Sequence, residues 1–537
     1  MIITDSMSWI LSLILALSLI LRVGLLNQVP PELFGDEVDV GYQARSLLQT
    51  GRDLYGQVLP TYIHSLAEWR APLLMYATVP TIAVFDNSVR GVRLPEVIFG
   101  TLGPLILFLL VYQISKSWKF GVLAFLVMAT MPWHIYYSRA AFEVVLMLNL
   151  VMLGTLLFLK KRFALCTLHF ALAMYTYSTA VLFVPLWLVV LHFLTKTKPK
   201  VVSLLLFTII VAPLIYHIVA GPARGRFGGL SIFNQQELVR NINDLRQEDN
   251  NPIAPLWHNK PETYASAIMA NYLRAFSTDF LFIRGDPIYR HSIQIVGQLL
   301  AISSPFVLLG LWSLGSRRQW LWLSWLILAP IPAALTADGG YHATRLFLMI
   351  PPLAVATGTG LLLVLQKLPR ILNILLVLLF TVYIAWLGHY YVAHYAKSSW
   401  RWWHVGFEQA MVQLNKLSPQ YSRVFINNTY EPSLIRFLFW TNYSPAKFHR
   451  QFTVDQPQDN IVPNYNGFSL DGKYFFGNFN KSNWTEFLLP NSLYLISQRD
   501  NVAGDWDWRR TPPDNIRVLF TSTNAYDQPV LYLITKI

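Results

Sequence analysis

Long apolar runs recur from Trp9 to Leu387, separated by short basic clusters, and together they predict a chain that crosses a membrane many times. A helical span takes about 20 predominantly apolar residues, and lysine and arginine collect in short cytoplasmic loops. The clusters are Lys116/Lys119, Lys160–Lys161–Arg162, Lys196/Lys198/Lys200, Arg317–Arg318 and Lys367/Arg370. With all of them in the cytoplasm, the spans are Trp9–Leu26, Val92–Tyr112, Phe120–Trp133, Phe142–Leu159, Phe163–Thr176, Thr179–Leu194, Val201–Val219, Ser292–Leu314, Trp320–Leu335, Leu346–Val364 and Ile371–Leu387. That is eleven transmembrane helices, with the N-terminus inside. The run Ala71–Phe85 reads as an interfacial or partly inserted helix, because counting it would reverse every cluster and because Pro72 and Pro80 make it a poor regular span.

This topology places every long loop outside: Asn27–Gly91, the turn His134–Ala141, Gly221–His291, the turn Ala337–Thr344 and everything after Gly388. The predicted organisation is a membrane domain over residues 1–390, including loops 27–91 and 221–291, and an extracytoplasmic domain over 391–537. In the latter, Val424-Phe425-Ile426 reads as a strand and Glu431–Trp440 as the following helix. Further strands are predicted at Ser492–Ser497, Ile516–Thr521 and Val530–Leu533, giving a small α/β fold.

Composition sharpens the reading. Only 13% of the residues are charged and 54% are apolar, in a chain of 537. A soluble domain carries about 25% charged residues, so an ordinary soluble enzyme is excluded. The net charge of +13 sits largely in the clusters between apolar runs, which argues against a nucleic-acid partner. Cys166 is the single cysteine, so no intrachain disulfide can form. Trp9–Leu26 lacks a basic leader and a small-residue cleavage site and is expected to be retained. With the missing disulfides, this leans toward a prokaryotic plasma membrane.

Candidate chemistry gathers in the outer loops. Pro30-Pro31-Glu32-Leu33-Phe34-Gly35-Asp36-Glu37-Val38-Asp39 concentrates carboxylates just after the first span. The following residues predict an amphipathic helix with Asp36 and Glu37 at its N-terminal end, where backbone amides favour an anion. A capping carboxylate at an interfacial helix is the alternative. Arg70 precedes the interfacial run. The turn Trp133–Glu143 offers His134, Arg139 and Glu143, the last two at helical i,i+4 spacing, which also suits a local ion pair. Tyr341-His342-Ala343-Thr344-Arg345 leads into the tenth span, where Arg345 could reach an anion or simply anchor at headgroup level. Arg290-His291 closes the large loop and could also face a phosphate. Arginines and carboxylates on one face suit a lipid phosphate as leaving group: the cations stabilise charge on phosphate oxygen while a carboxylate takes the acceptor proton. No Cys pair or His-Glu-x-x-His is present, and only the compact pairing of Asp36 with Glu37 or Asp39 offers a divalent ion any ligands; with no Walker lysine loop or dinucleotide fingerprint, no cofactor is expected.

The order Gly35-Asp36-Glu37, Gly51-Arg52-Asp53, Arg70-Ala71-Pro72-Leu73, Val92-Arg93-Leu94-Pro95, Tyr137-Ser138-Arg139 with Glu143, Phe282–His291 and His342-Ala343-Thr344-Arg345-Leu346 resembles the polyprenyl-phosphate-dependent membrane glycosyltransferases of the GT-C class. The likeness is greatest to the protein O-mannosyltransferase and lipid A aminoarabinose-transferase superfamily. It implies sugar transfer from an undecaprenyl- or dolichyl-phosphate donor to an acceptor hydroxyl, with inversion. It also implies Asp36 as base with Glu37 supporting it, and a metal-free donor site drawn from Arg70, Arg139, Glu143, Arg290, His342 and Arg345. The sequence departs from both relatives. Asp39 stands where the mannosyltransferases often carry a basic residue, the Arg-Tyr of the aminoarabinose transferases is missing, and no β-trefoil insertion is recognisable. The acceptor stays open among lipid, glycan and protein. An oligosaccharide ligase or polymerase using a lipid diphosphate is the alternative. A transporter would show repeated halves with polar breaks near the midplane, and none stands out here.

Overall fold

The structure, a computed structural model, describes residues 5–65, 69–197, 201–221, 224–249, 251–452, 457–500 and 507–537. Lys198 and Lys200 of the third basic cluster lie outside the described residues. The chain divides into two compact units. One comprises Met1–Gly24, Glu68–Leu74 and Pro95–His389; the other comprises Leu25–Ala67, Met75–Leu94 and Tyr390–Ile537.

The first unit is helical. Five helices in the described chain are long and apolar enough to cross a membrane: Val89–Ser115, Ser178–Thr195, Val201–Val219, Phe347–Lys367 and Arg370–Ser398. Shorter apolar helices accompany them at Met7–Val23, Trp118–Thr130, Val144–Leu159, Phe163–Met174, Ala301–Ser316 and Trp320–Ala334, with Leu73–Phe85 at the ambiguous run. The protein is thus a polytopic helical membrane protein. Helices suit this environment because every interior backbone N–H and C=O is paired within the segment.

Close packing explains several small residues. A Cβ on Gly310 would lie 1.8 Å from the Ala356 carbonyl oxygen, and one on Gly360 would lie 1.9 Å from that of Phe306. The helices Ser304–Ser316 and Ile350–Lys367 can therefore touch backbone to backbone, the usual basis of helix association in lipid. Elsewhere aromatic bulk fills the bundle. Trp187 and Trp325 pack with ring centroids 4.8 Å apart, and each indole N–H is satisfied, by Thr155 Oγ1 and by the Leu348 carbonyl respectively, both at 2.9 Å.

The expected span Ser292–Leu314 is helical only from Ala301. Over Ser292–Leu300 the backbone pairs elsewhere: Gln298 N–H donates to the Phe280 carbonyl at 3.1 Å and Leu299 N–H to that of Leu281 at 2.7 Å. A Cβ on Gly297 would meet the Phe282 nitrogen at 2.2 Å, so the close approach requires glycine there.

The second unit contains a mixed seven-stranded sheet. Its strands are β1 (Arg423–Asn427), β2 (Gln458–Val462), β3 (Tyr465–Leu470), β4 (Tyr474–Phe479), β5 (Ser492–Ser497), β6 (Ile516–Thr523) and β7 (Pro529–Lys536). Their spatial order is β2-β3-β4-β1-β5-β7-β6. β1 runs parallel to β4 and β5, and the remaining pairs are antiparallel. One face is closed by an aromatic core in which Phe425 stacks on Tyr494 at 4.6 Å and on Phe475 at 4.9 Å. The strands expected from Val424-Phe425-Ile426, Ser492–Ser497, Ile516–Thr521 and Val530–Leu533 are present.

The first-loop helix Gly35–Thr50 also belongs to this unit, and it is not amphipathic. Every residue from Glu37 to Ala44 is buried, as are Ser46 and Leu47. A Cβ on Gly41 would fall 2.4 Å from the Phe439 ring and 2.7 Å from Val92, which shows how closely neighbours approach it. The polar positions expected to face water are therefore enclosed.

Candidate functional site

The carboxylates of the first loop have different surroundings. Asp36, in the first turn of Gly35–Thr50, is exposed. Glu37, one residue on, is fully buried in a two-point ion pair: Arg93 Nε donates to Oε1 and Nη2 to Oε2, each at 2.8 Å. This planar match is a geometry that favours arginine over lysine. Arg93 also donates to the carbonyls of Leu26, Pro30 and Glu32, at 3.3, 2.9 and 2.8 Å, and its guanidinium lies 5.5 Å from the Trp403 ring centroid. The guanidinium thus ties the turns and bends of 26–32 to the start of the helix. Asp39 is buried and accepts from Gln43 Nε2 at 3.4 Å.

Glu32 has another task. Its carboxyl oxygens accept the backbone N–H groups of Gly406 at 2.7 Å and Glu408 at 2.6 Å, at the start of helix Phe407–Leu417. Burial pushes this carboxyl up to about 8, against the pull of those two donors.

In the helical unit, Arg70 and Glu143 meet. Arg70 Nη2 donates to Glu143 Oε1 at 2.8 Å, and both residues are buried. Residues 138–141 form a turn rather than helix, so Arg139 and Glu143 do not have the expected helical spacing. Arg139 instead donates to the carbonyls of Leu21, Arg22 and Gly24 at 3.0, 2.9 and 2.8 Å. It caps the C-terminal end of helix Asp5–Val23, where unpaired carbonyls attract a cation. His134 is fully buried, and its Nδ1 lies 2.7 Å from Arg22 Nη2.

A second group gathers around the turn before helix Ile350–Lys367. Arg345 Nη1 donates to Thr336 Oγ1 at 2.7 Å and pairs with Asp338. Asp286 accepts the backbone N–H of Ala343 at 2.8 Å and of Ile288 at 2.9 Å, fastening the end of the large loop to this turn. Burial raises Asp286 to about 6. Tyr137 Oη lies 2.8 Å from Thr344 Oγ1 and 3.0 Å from His291 Nδ1, and the His291 and His342 rings are 5.1 Å apart. Burial, then Arg345, lowers His342 to about 4; burial, then His342, holds His291 well below the usual histidine range. Both rings are therefore neutral at pH 7, and positive charge here rests on Arg345 and the half-buried Arg290.

The chain superimposes on ArnT from Cupriavidus metallidurans bound to undecaprenyl phosphate with a TM-score of 0.55, at 11% identity, over 99% of this chain and 98% of that one. This is the GT-C fold. An oligosaccharyltransferase from Archaeoglobus fulgidus, in complex with zinc and sulfate, gives a TM-score of 0.47 at 13% identity; the alignment covers 80% of this chain and 61% of that longer one. The same protein tethered to an acceptor peptide gives 0.48 at 13% identity, over 92% and 69%. The sequence matches no protein-family model and no curated protein.

Around this GT-C fold, sequence reasoning singled out Asp36, Glu37, Arg70, Arg139, Glu143, Arg290, His342 and Arg345. The structure joins Arg70 with Glu143 and groups His342 with Arg345. It adds Arg93, Glu32, Asp286 and Tyr137 as organising residues. Arg93 had a usable signal, an arginine in the first turns of an apolar span, where charge is costly without a partner. Asp286 had none, since Gly-Asp-Pro reads as an ordinary turn.

Proposed function

We propose that the protein transfers a sugar from a polyprenyl-phosphate donor, of undecaprenyl or dolichyl type, to an acceptor hydroxyl at the extracytoplasmic membrane face. The observation that carries this reading is the division between adjacent carboxylates: Glu37 is locked by Arg93, whereas Asp36 is exposed at the helix start. Asp36 is the general base. It takes the acceptor proton as the hydroxyl oxygen attacks the anomeric carbon, and the lipid phosphate leaves from the opposite side, inverting that centre. Glu37 acts through Arg93 as a positioning residue, fixing the turn from which Asp36 projects.

Arg70, Arg290 and Arg345 face the donor phosphate, with neutral His342 as a hydrogen-bonding group beside Arg345. Glu143 orients Arg70, and Arg139 acts from its cap on the first helix. The likeness to an undecaprenyl-phosphate-bound transferase supports the donor class. The same reading includes eleven spans with the N-terminus inside a prokaryotic plasma membrane, a catalytic membrane domain over 1–390 and an extracytoplasmic domain over 391–537.

The test is Asp36→Asn in phospholipid nanodiscs with a panel of polyprenyl-phosphate sugars. Turnover should fall by about 10²–10⁴ while donor binding persists. Near-normal turnover removes Asp36 as base. Release of a lipid diphosphate, rather than the monophosphate, would reassign the protein to the ligases.

A further inference from the structure

The β-sheet carries a feature that the transfer reading does not use. On one face, two cross-strand rungs of β3 and β4 lie side by side: Phe468 opposite Phe476, and Asn466 opposite Asn478. The phenylalanine rungs stack at 5.5 Å. Phe437 packs on Phe476 at 5.3 Å and Phe452 on Phe468 at 5.6 Å, so this end is backed by the domain's own aromatics. The asparagine rung borders a groove of about 400 Å³, which Asn428 and Asn480 also line.

Two amides of this groove are oriented by backbone donors. Asn428 Oδ1 accepts from the Ser433 N–H at 3.0 Å, and Asn466 Oδ1 accepts from the Asn460 N–H at 2.8 Å. A backbone N–H can only donate, so both side-chain carbonyls are fixed and each NH₂ is turned away from that contact. Thr429 gives its one hydroxyl proton to Asp500 Oδ1 at 2.5 Å, so its 3.3 Å contact with the Asn478 amide leaves that amide's orientation open, and Asn480 Nδ2 donates to Asn460 Oδ1 at 2.8 Å. Among the described residues, the NH₂ groups of Asn428 and Asn466 and the Oδ1 of Asn480 have no protein partner. The remaining donors and acceptor are neutral, and no lining side chain among the described residues is charged.

Two glycines keep the strands beneath the groove in close register. A Cβ on Gly477 would lie 1.8 Å from the Asn466 carbonyl oxygen, and one on Gly467 would lie 1.9 Å from that of Phe476. Both positions are therefore closed to larger residues, and the groove floor there is bare backbone.

We propose that this groove binds a neutral carbohydrate, with sugar hydroxyls hydrogen-bonded to the asparagine amides and a C–H face of the ring laid against half-buried Phe468. Its volume falls in the range of small-molecule sites, and a few placed polar groups beside aromatic carbon suit such a ligand. A phosphate or carboxylate ligand would call for arginine or lysine, which the described lining residues do not include. A peptide strand would pair with the sheet edge at β2 rather than sit across β3 and β4.

The proposal rests on the sheet alone and is read by binding, so it can fail or hold independently of sugar transfer. The experiment uses the full chain in phospholipid nanodiscs, free of glycoside detergents, with saturation-transfer NMR of maltotriose, mannotriose and N,N′-diacetylchitobiose. At least one neutral oligosaccharide should show saturation transfer that is competed by the same unlabelled sugar. Asn478→Ala and Asn480→Ala, both at exposed positions, should each weaken binding several-fold and together at least tenfold. Asp36→Asn should leave it unchanged. Absence of transfer to all three probes, unchanged binding in the double variant, or tighter binding of glucuronate than of the neutral sugars would each overturn the proposal.

Discussion

Removing Glu37 tests whether the Arg93 pair holds the first-loop helix. Glu37→Ala deletes two charge-assisted hydrogen bonds, each 2.8 Å long and fully buried. Bonds to charged groups contribute about 1.5–3 kcal/mol each, and stripping one partner from a buried pair costs about 3–5 kcal/mol. Arg93 keeps three carbonyl acceptors, which places the expected loss near 3 kcal/mol, the lower end of that range. At 1.4 kcal/mol per decade, amides of residues 35–50 should exchange about a hundredfold faster in hydrogen–deuterium exchange on nanodisc-embedded protein. Glu37→Leu combined with Arg93→Met should recover much of the protection, because an apolar pair removes the stranded charge. Exchange within threefold of the parent in Glu37→Ala, or a double variant as labile as the single, would refute the reasoning.

Other consequences follow from the same geometry. The Glu32 carboxyl titrates at about 8 in the fold against an ordinary value of 4.5. The folded state therefore holds this proton more tightly, and its stabilising contribution is complete below about 4.5 and lost as pH rises through about 8. The thermal midpoint in detergent should fall across that window, and Glu32→Gln should flatten the dependence; a flat profile in the parent would contradict it. Gly310→Ala should force apart the helices Ser304–Ser316 and Ile350–Lys367, lowering stability by about 1–3 kcal/mol, read as a lower thermal midpoint in detergent. Arg139→Gln strips the carbonyls of Leu21, Arg22 and Gly24 of their cationic cap and should cost up to about 2 kcal/mol. An unchanged midpoint would remove the capping role.

The membrane character was legible because it is a one-dimensional property: apolar length and basic clustering need no knowledge of neighbours. The strands of alternating or continuous β-branched and aromatic residues, such as Val424-Phe425-Ile426 and Ser492–Ser497, were legible for the same reason. β2, β3 and β4 were not. Asn464, Asn466, Gly467, Gly477, Asn478 and Asn480 look like turn residues in isolation, and only pairing between strands makes Gly467 and Gly477 necessary.

The carboxylates of the first loop show the same boundary. Sequence alone placed Asp36 and Glu37 together at the start of a helix. It could not separate them, since their chemistry and position are nearly the same. Arg93 arrives from 56 residues away in the chain and encloses Glu37 while Asp36 stays exposed. Likewise a helix with Asp39, Gln43 and Ser46 reads as having a wet side, yet Gly41 admits Phe439 and Val92 so closely that those polar groups are buried. Sequence sets which groups are available and roughly where the chain runs; long-range packing sets their solvation and partners.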